Sequence, residues 1–118
     1  MENTKQLVSE TKESLQGYLP KLIHACEDIA SQLQSSQDSW VPLFNALLEG
    51  VQWVMNAVTG IQSVQSEELS QLKLTRLQEV LVEVQEALTN QDMVLFPDLL
   101  EYELKPLLQT FLEQVEGK

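Results

Sequence analysis

The chain has 118 residues, with seven Lys and Arg against eighteen Asp and Glu, for a formal charge of −11. Nucleic acid and anionic membrane surfaces are repelled by such a charge, so neither is expected as a partner. A single cysteine excludes an intramolecular disulfide, and the few glycines, prolines and aromatics favour helix over sheet.

The first predicted helix covers about 4–34. Val8, Thr11, Leu15, Tyr18, Leu22, Cys26, Ile29 and Leu33 recur at steps of three and four, the period of one helical face. Gly17-Tyr18-Leu19-Pro20 interrupts the propensity but not the stripe. One long helix kinked near Pro20 therefore fits better than two short ones. Gln34 to Ser39 reads as a short loop joining antiparallel neighbours, with Ser39 as N-cap and Pro42 in the first turn, where no intrahelical N–H bond is needed.

The second helix, about 40–60, is the most apolar. Trp40, Phe44, Leu47, Val51, Val54, Val58 and Ile61 form its buried row. Asn45, Glu49, Gln52, Asn56 and Thr59 leave only a narrow polar stripe. It either ends at Gly60 in a left-handed cap or runs on to Val64. A third helix, about 67–88, is capped by Ser66. Leu74, Leu77, Leu81, Val84 and Leu88 lie on its inner row, and Glu79, Glu83 and Glu86 on its outer one.

The last helix, about 93–115, is capped by Asp92, whose carboxylate can accept from first-turn N–H groups. Leu100, Leu104, Leu107, Phe111 and Val115 make its main row, with Met93 and Phe96 extending it backwards and Leu99, Leu108 and Leu112 widening it. Pro97 fits a first turn. Pro106 falls in the interior, removes the donor for the Tyr102 carbonyl and predicts a kink. Glu101 and Lys105 stand in the favourable i, i+4 order.

These elements predict an all-α fold: an antiparallel up-down four-helix bundle with proline-kinked first and last helices, in a single domain over 1–118. No apolar run approaches the roughly 20 residues that span a bilayer. The polar start MENTKQLVSETKES lacks a signal core, and with the lone cysteine it points to a cytoplasmic protein.

Candidate chemistry is sparse. His24 is the only histidine and lies off the apolar face; a phosphotransfer role is the one sharp reading, but Glu27 and Asp28 stand where a phosphoryl group wants positive charge. Cys26 lies on the core stripe and reads as a packing residue. With one histidine and one cysteine, no Cys/His metal spacing and no di-iron carboxylate–histidine set can be assembled. The chain reads as non-enzymatic, with no cofactor and no metal.

Ala46, Gly50, Trp53, Ala57 and Gly60 share one flank of the second helix. Small residues at helical spacing allow close backbone approach. The flank serves either ordinary tight packing or a patch anchored by Trp53 for a protein partner or for self-association.

Gly17-Tyr18-Leu19-Pro20-Lys21-Leu22-Ile23, and Asp92 to Leu108 with Leu99-Leu100-Glu101-Tyr102-Glu103-Leu104-Lys105-Pro106-Leu107-Leu108 at its centre, resemble a set of small, acidic, helical bacterial proteins of unassigned function in Gram-positive, motility-linked genomes. The resemblance implies a helical bundle and carries no catalytic residues. Pro97 departs from the helix former expected at that position. In size, charge and class the chain is also similar to flagellar export chaperones, which wrap a partner's helix. The leading expectation is a protein–protein interaction or chaperone-like module that buries a partner's amphipathic helix. The alternative is a homo-oligomeric structural protein without an external ligand.

Overall fold

A computed structural model of the chain describes residues 2–34, 40–64 and 74–117. Among the described residues every regular element is a helix: α1 (Glu2–Gln34), α2 (Trp40–Val64), α3 (Leu74–Thr89), α4 (Leu95–Leu99), a π-helical turn (Leu100–Leu104) and α5 (Lys105–Val115). The last three run on as one right-handed helix, with Leu99, Leu100, Leu104 and Lys105 all in the α region. The expected caps Ser39 and Ser66 lie outside the described residues.

The apolar rows supply the core. Leu15, Leu19, Cys26 and Ile29 of α1, Val51, Val54 and Val58 of α2, and Leu77, Val80 and Val84 of α3 are fully buried. Phe96, Leu100, Leu104 and Leu108 join them from the last helix, and no polar side chain is buried among the described residues. α1 packs against both α2 and α5, while α3 packs on α4 and the π turn. At one end Trp40, Phe44 and Phe96 form an aromatic clasp, with Phe44 and Phe96 edge to face at 5.1 Å.

α1 passes through Pro20 as one continuous helix. The buried row of Leu15, Leu19, Leu22, Cys26 and Ile29 explains why, since burial on both sides of the proline holds the turn together. Of the two ends the sequence left open for α2, the helix takes the second and runs on to Val64, because Ile61 is buried and completes the row. Gly60 has no left-handed φ; among the described residues the positive φ values belong to Gln91 and Gly117.

α1 and α2 meet closely at Gly50. A Cβ built there would lie 2.5 Å from Leu22 Cδ2 and 2.8 Å from Tyr18 Oη. Only a residue without a side chain lets these two helices approach so far. Gly60 has the opposite setting, with nothing within 4 Å of a Cβ.

The π turn solves a problem of phase. Phe96, Leu100, Leu104 and Leu108 follow one another at four-residue steps. In an α-helix each such step advances a side chain by roughly 40°, so the row would rotate out of the core by about 120° over its length. A π turn takes up one extra residue and sets the row back by roughly 100°. The buried residues before and after it, Phe96 and Leu100, then Leu104, Leu108, Phe111 and Val115, therefore share one face. The same set-back moves Leu107, expected in the main row, to a half-buried flank and puts Leu108 in its place.

The π turn also suits Pro106. The Lys105 N–H donates to the Leu100 carbonyl five residues back. Pro106 has no N–H to give, so the carbonyls of Glu101 and Tyr102 both lose their usual α-helical donors. Tyr102 is 70 % exposed, which leaves water to serve the freed groups on that side. The expected Glu101–Lys105 pair is not formed: Lys105 Nζ instead reaches Glu27 of α1 at 3.1 Å. Residues four apart no longer overlie one another where the turn closes at five.

The glycines give a test with two signs. Gly50→Ala is expected to destabilise the fold by about 1–3 kcal/mol through overpacking. Gly60→Ala is expected to stabilise it by about 0.5–1 kcal/mol, because an exposed helical glycine is replaced without a clash. Urea unfolding followed by circular dichroism reads both.

Candidate functional site

The flank read as either tight packing or a partner patch divides in two. Gly50 is buried and belongs to the α1–α2 contact. Trp53 stands one turn on, 40 % exposed, with its ring edge-on to Tyr18 at 5.2 Å and 80°. Together with Ser14, Gly17, Lys21 and Glu49 these two aromatics line a shallow depression on the seam. Ala57 and Gly60 line a second one further along, with Leu7, Val8, Thr11, Asn56, Ile61 and Val64. Ala46 is exposed one turn before Gly50 and borders neither.

Sequence reasoning missed the α1 side of this seam. Leu7 is 59 % exposed and Val64 half exposed, although both are large and apolar. Gly17 lies on the same seam, and a Cβ there would meet nothing within 4 Å. Neither Gly17 nor Gly60 is required by internal packing or by its φ angle. Each costs about 1 kcal/mol against alanine in a helix interior. The signal for Gly17 was present in the sequence, but the partner helix was needed to place it beside Trp53.

A second surface lies where α3 hands over to α4. Met93, Val94 and Leu95 are consecutive and exposed, at 41, 76 and 44 %. Met93, expected in the core row, is excluded from it because the regular turns begin two residues later. The Asp92 cap forms as expected: its Oδ1 accepts the Leu95 N–H at 3.0 Å, and its carbonyl accepts the Phe96 N–H. α4 begins at Leu95, yet helical hydrogen bonding already starts at the Asp92 carbonyl. Pro97 falls in this opening turn, where a missing donor costs little.

Charge is unevenly spread. From Leu77 to Leu104 the chain holds Glu79, Glu83, Glu86, Asp92, Asp98, Glu101 and Glu103 and no Lys, Arg or His. Arg76 sits at the edge of this stretch. It contacts Glu103 at 2.8 Å, Glu79 at 3.4 Å and Glu83 at 3.8 Å. All four groups are substantially exposed, so these pairs contribute little stability. α2, by contrast, carries one charged residue, Glu49, in 25.

The candidate chemical residues stay apart. His24 is exposed on α1, with Glu27 and Asp28 within the next turn. Cys26 is fully buried, and burial pushes its thiol up to about 12 against the partial counter-effect of Lys105. No cluster of three His, Cys, Asp or Glu that could hold a metal ion occurs among the described residues. No described helix is long and apolar enough to cross a membrane.

The chain belongs to the family described as Domain of unknown function (DUF8042), whose pattern matches residues 10–114. No curated protein and no solved structure matches it.

The Cys26 thiol gives a direct check. With its pKa raised from 9.0 to about 12, the native protein at pH 8 holds roughly a thousandfold less thiolate than an unfolded chain. An aromatic disulfide reagent is expected to label it rapidly only after urea is added. The sign for stability follows: the contribution is full below pH 9 and is lost as pH rises towards 12, because only the unfolded chain releases the proton in that window. Cys26→Ala should flatten this part of the stability–pH curve.

Proposed function

We propose that the protein is a non-enzymatic, cytoplasmic interaction module, chaperone-like in mode, that seats a partner's amphipathic helix along the α1–α2 seam. The observation that carries this reading is the exposed apolar line of Leu7, Val64 and Trp53 beside Gly17 and Gly60, two helical glycines with open space around them. Glycine at such positions lets a second backbone come close, and Trp53 offers a large, partly rigid anchor held by Tyr18. From Leu7 to Tyr18 the seam spans about 16 Å at 1.5 Å per residue, enough for three turns of a docked helix.

The same reading takes the architecture as an up-down antiparallel bundle in a single domain. Its support is the order of contacts: Leu7 and Thr11 share a depression with Val64 and Gly60, while Tyr18 and Lys21 share one with Trp53 and Glu49. Gln16 donates to the Val115 carbonyl and Lys105 pairs with Glu27, so α1 and α5 also run past each other in opposite senses. Bends at Pro20 and Pro106 would curve both helices around the core.

A second reading, homo-oligomerisation, is favoured by one observation. The outer face of α2 is almost uncharged in a protein of charge −11. Copies joined there would keep their acidic sides apart.

Photo-crosslinking separates the two. A benzophenone amino acid is placed at Trp53 and, as control, at the exposed Gln109. The interaction reading expects discrete heterologous adducts from position 53 alone, lost with Gly60→Arg. Adducts of the chain with itself favour the oligomer instead, and no adduct at all contradicts both.

A further inference from the structure

We infer that the corner between α3 and α4 is a second docking surface, separate from the seam, and that its occupant is a cationic amphipathic segment of another protein. Met93, Val94 and Leu95 form an exposed apolar run at a turn between helices, where polar residues are the ordinary choice. The run is held in place rather than loose. Asn90, Gln91 and Asp92 N–H groups bond back to the carbonyls of Glu86, Leu88 and Ala87, and the Asp92 carboxylate fixes the Leu95 N–H. Gln91 takes a left-handed φ of 56°, a conformation uncommon for a side-chain-bearing residue, to make this reversal.

Charge identifies the occupant. Glu83, Glu86 and Asp92 line a depression of about 290 Å³ with Leu95. Asp98 stands three and four residues after Leu95 and Val94, on the same face of the helix. Arg76 reaches only Glu83 of this group, at 3.8 Å, and is held more closely by Glu103 and Glu79. The α3 C-terminus and the α4 N-terminus meet here with opposed dipoles, so the carboxylates set the local field. An apolar run that ends at Leu95 beside these carboxylates, of which Arg76 meets only Glu83, complements a helix or peptide with leucine-like residues on one face and Lys or Arg beside them. A second copy paired through the same corner does not fit, because it would bring the same cation-free stretch against itself.

The test uses the full chain and a fluorescein-labelled synthetic peptide of leucine and lysine at helical spacing. A matched peptide with glutamate for lysine is the reference. Anisotropy is expected to show saturable binding of the lysine peptide, weakened at least tenfold by Val94→Asp and by the Glu86→Gln/Asp98→Asn pair. Glu10→Gln/Glu13→Gln removes equal charge from α1 and should change binding less than twofold, as should Gly60→Arg on the seam. Equal losses from the α1 pair would mean diffuse attraction to the acidic protein and overturn the proposal. So would indifference to Val94→Asp, equal binding of both peptides, or a light-scattering dimer of the protein alone that Val94→Asp dissolves. Because Val94, Glu86 and Asp98 are exposed, their replacement leaves the core intact, which circular dichroism verifies.

Discussion

The fold depends on keeping one apolar row in phase along the last helix while a proline sits in it. Four-residue spacing from Phe96 to Leu108 is incompatible with a straight α-helix, since the row would turn away from the core. The π turn at Leu100–Leu104 removes the conflict by absorbing one residue. The same turn accommodates Pro106 by leaving its missing donor on the exposed side, at Tyr102. It also turns Lys105 towards Glu27 of α1, so the irregularity is tied into the neighbouring helix. Sequence pattern, backbone hydrogen bonding and tertiary pairing thus lead to the same local deviation.

The other half of the structure rests on the opposite device, close approach. At Gly50 the α2 backbone meets Leu22 and Tyr18 with no room for a methyl group. Tyr18, half-buried beside this contact, lies edge-on to the exposed Trp53 on the seam. Gly17 and Gly60 look similar in sequence but have open space around them. A single residue type therefore serves internal packing at one position and leaves an accessible backbone at two others. The interaction reading draws on that difference, because internal packing explains the first glycine and does not explain the others.

The helices, most of the inner rows of α1 and α2 and the Asp92 cap were legible from periodicity and capping chemistry, whereas on α3 the buried row is Leu77, Val80, Val84 and Ala87, with Leu74, Leu81 and Leu88 half-buried beside it. Cys26 as a core residue and His24 as an exposed one followed from their phase on α1. What was not legible depended on partners. The set-back of Leu107 and inclusion of Leu108 required knowing that Pro106 is met by a π turn; the unbroken four-residue spacing of Phe96, Leu100, Leu104 and Leu108 was the available clue. Glu101 and Lys105 matched a helical pair on paper, but the changed turn and the presence of Glu27 decided otherwise. Met93 had the right residue type for the core and the wrong position, because the chain is still reversing there. The division of the Ala46–Gly60 flank into buried and exposed parts could not be seen until α1 lay beside it.

The most direct test of this account is a comparison of two single-residue deletions by urea unfolding. Removing Tyr102, in a Pro106→Ala background, should convert the π turn to an α turn and leave the flanking rows aligned. The account predicts a cooperative transition within about 1 kcal/mol of the Pro106→Ala parent, since no buried contact is lost. Removing the exposed Thr110 from α5 should instead rotate Phe111 and Val115 out of the core by roughly 100° and abolish cooperative unfolding. If the Tyr102 deletion proves as damaging as the Thr110 deletion, the π turn is not what keeps the helix in register.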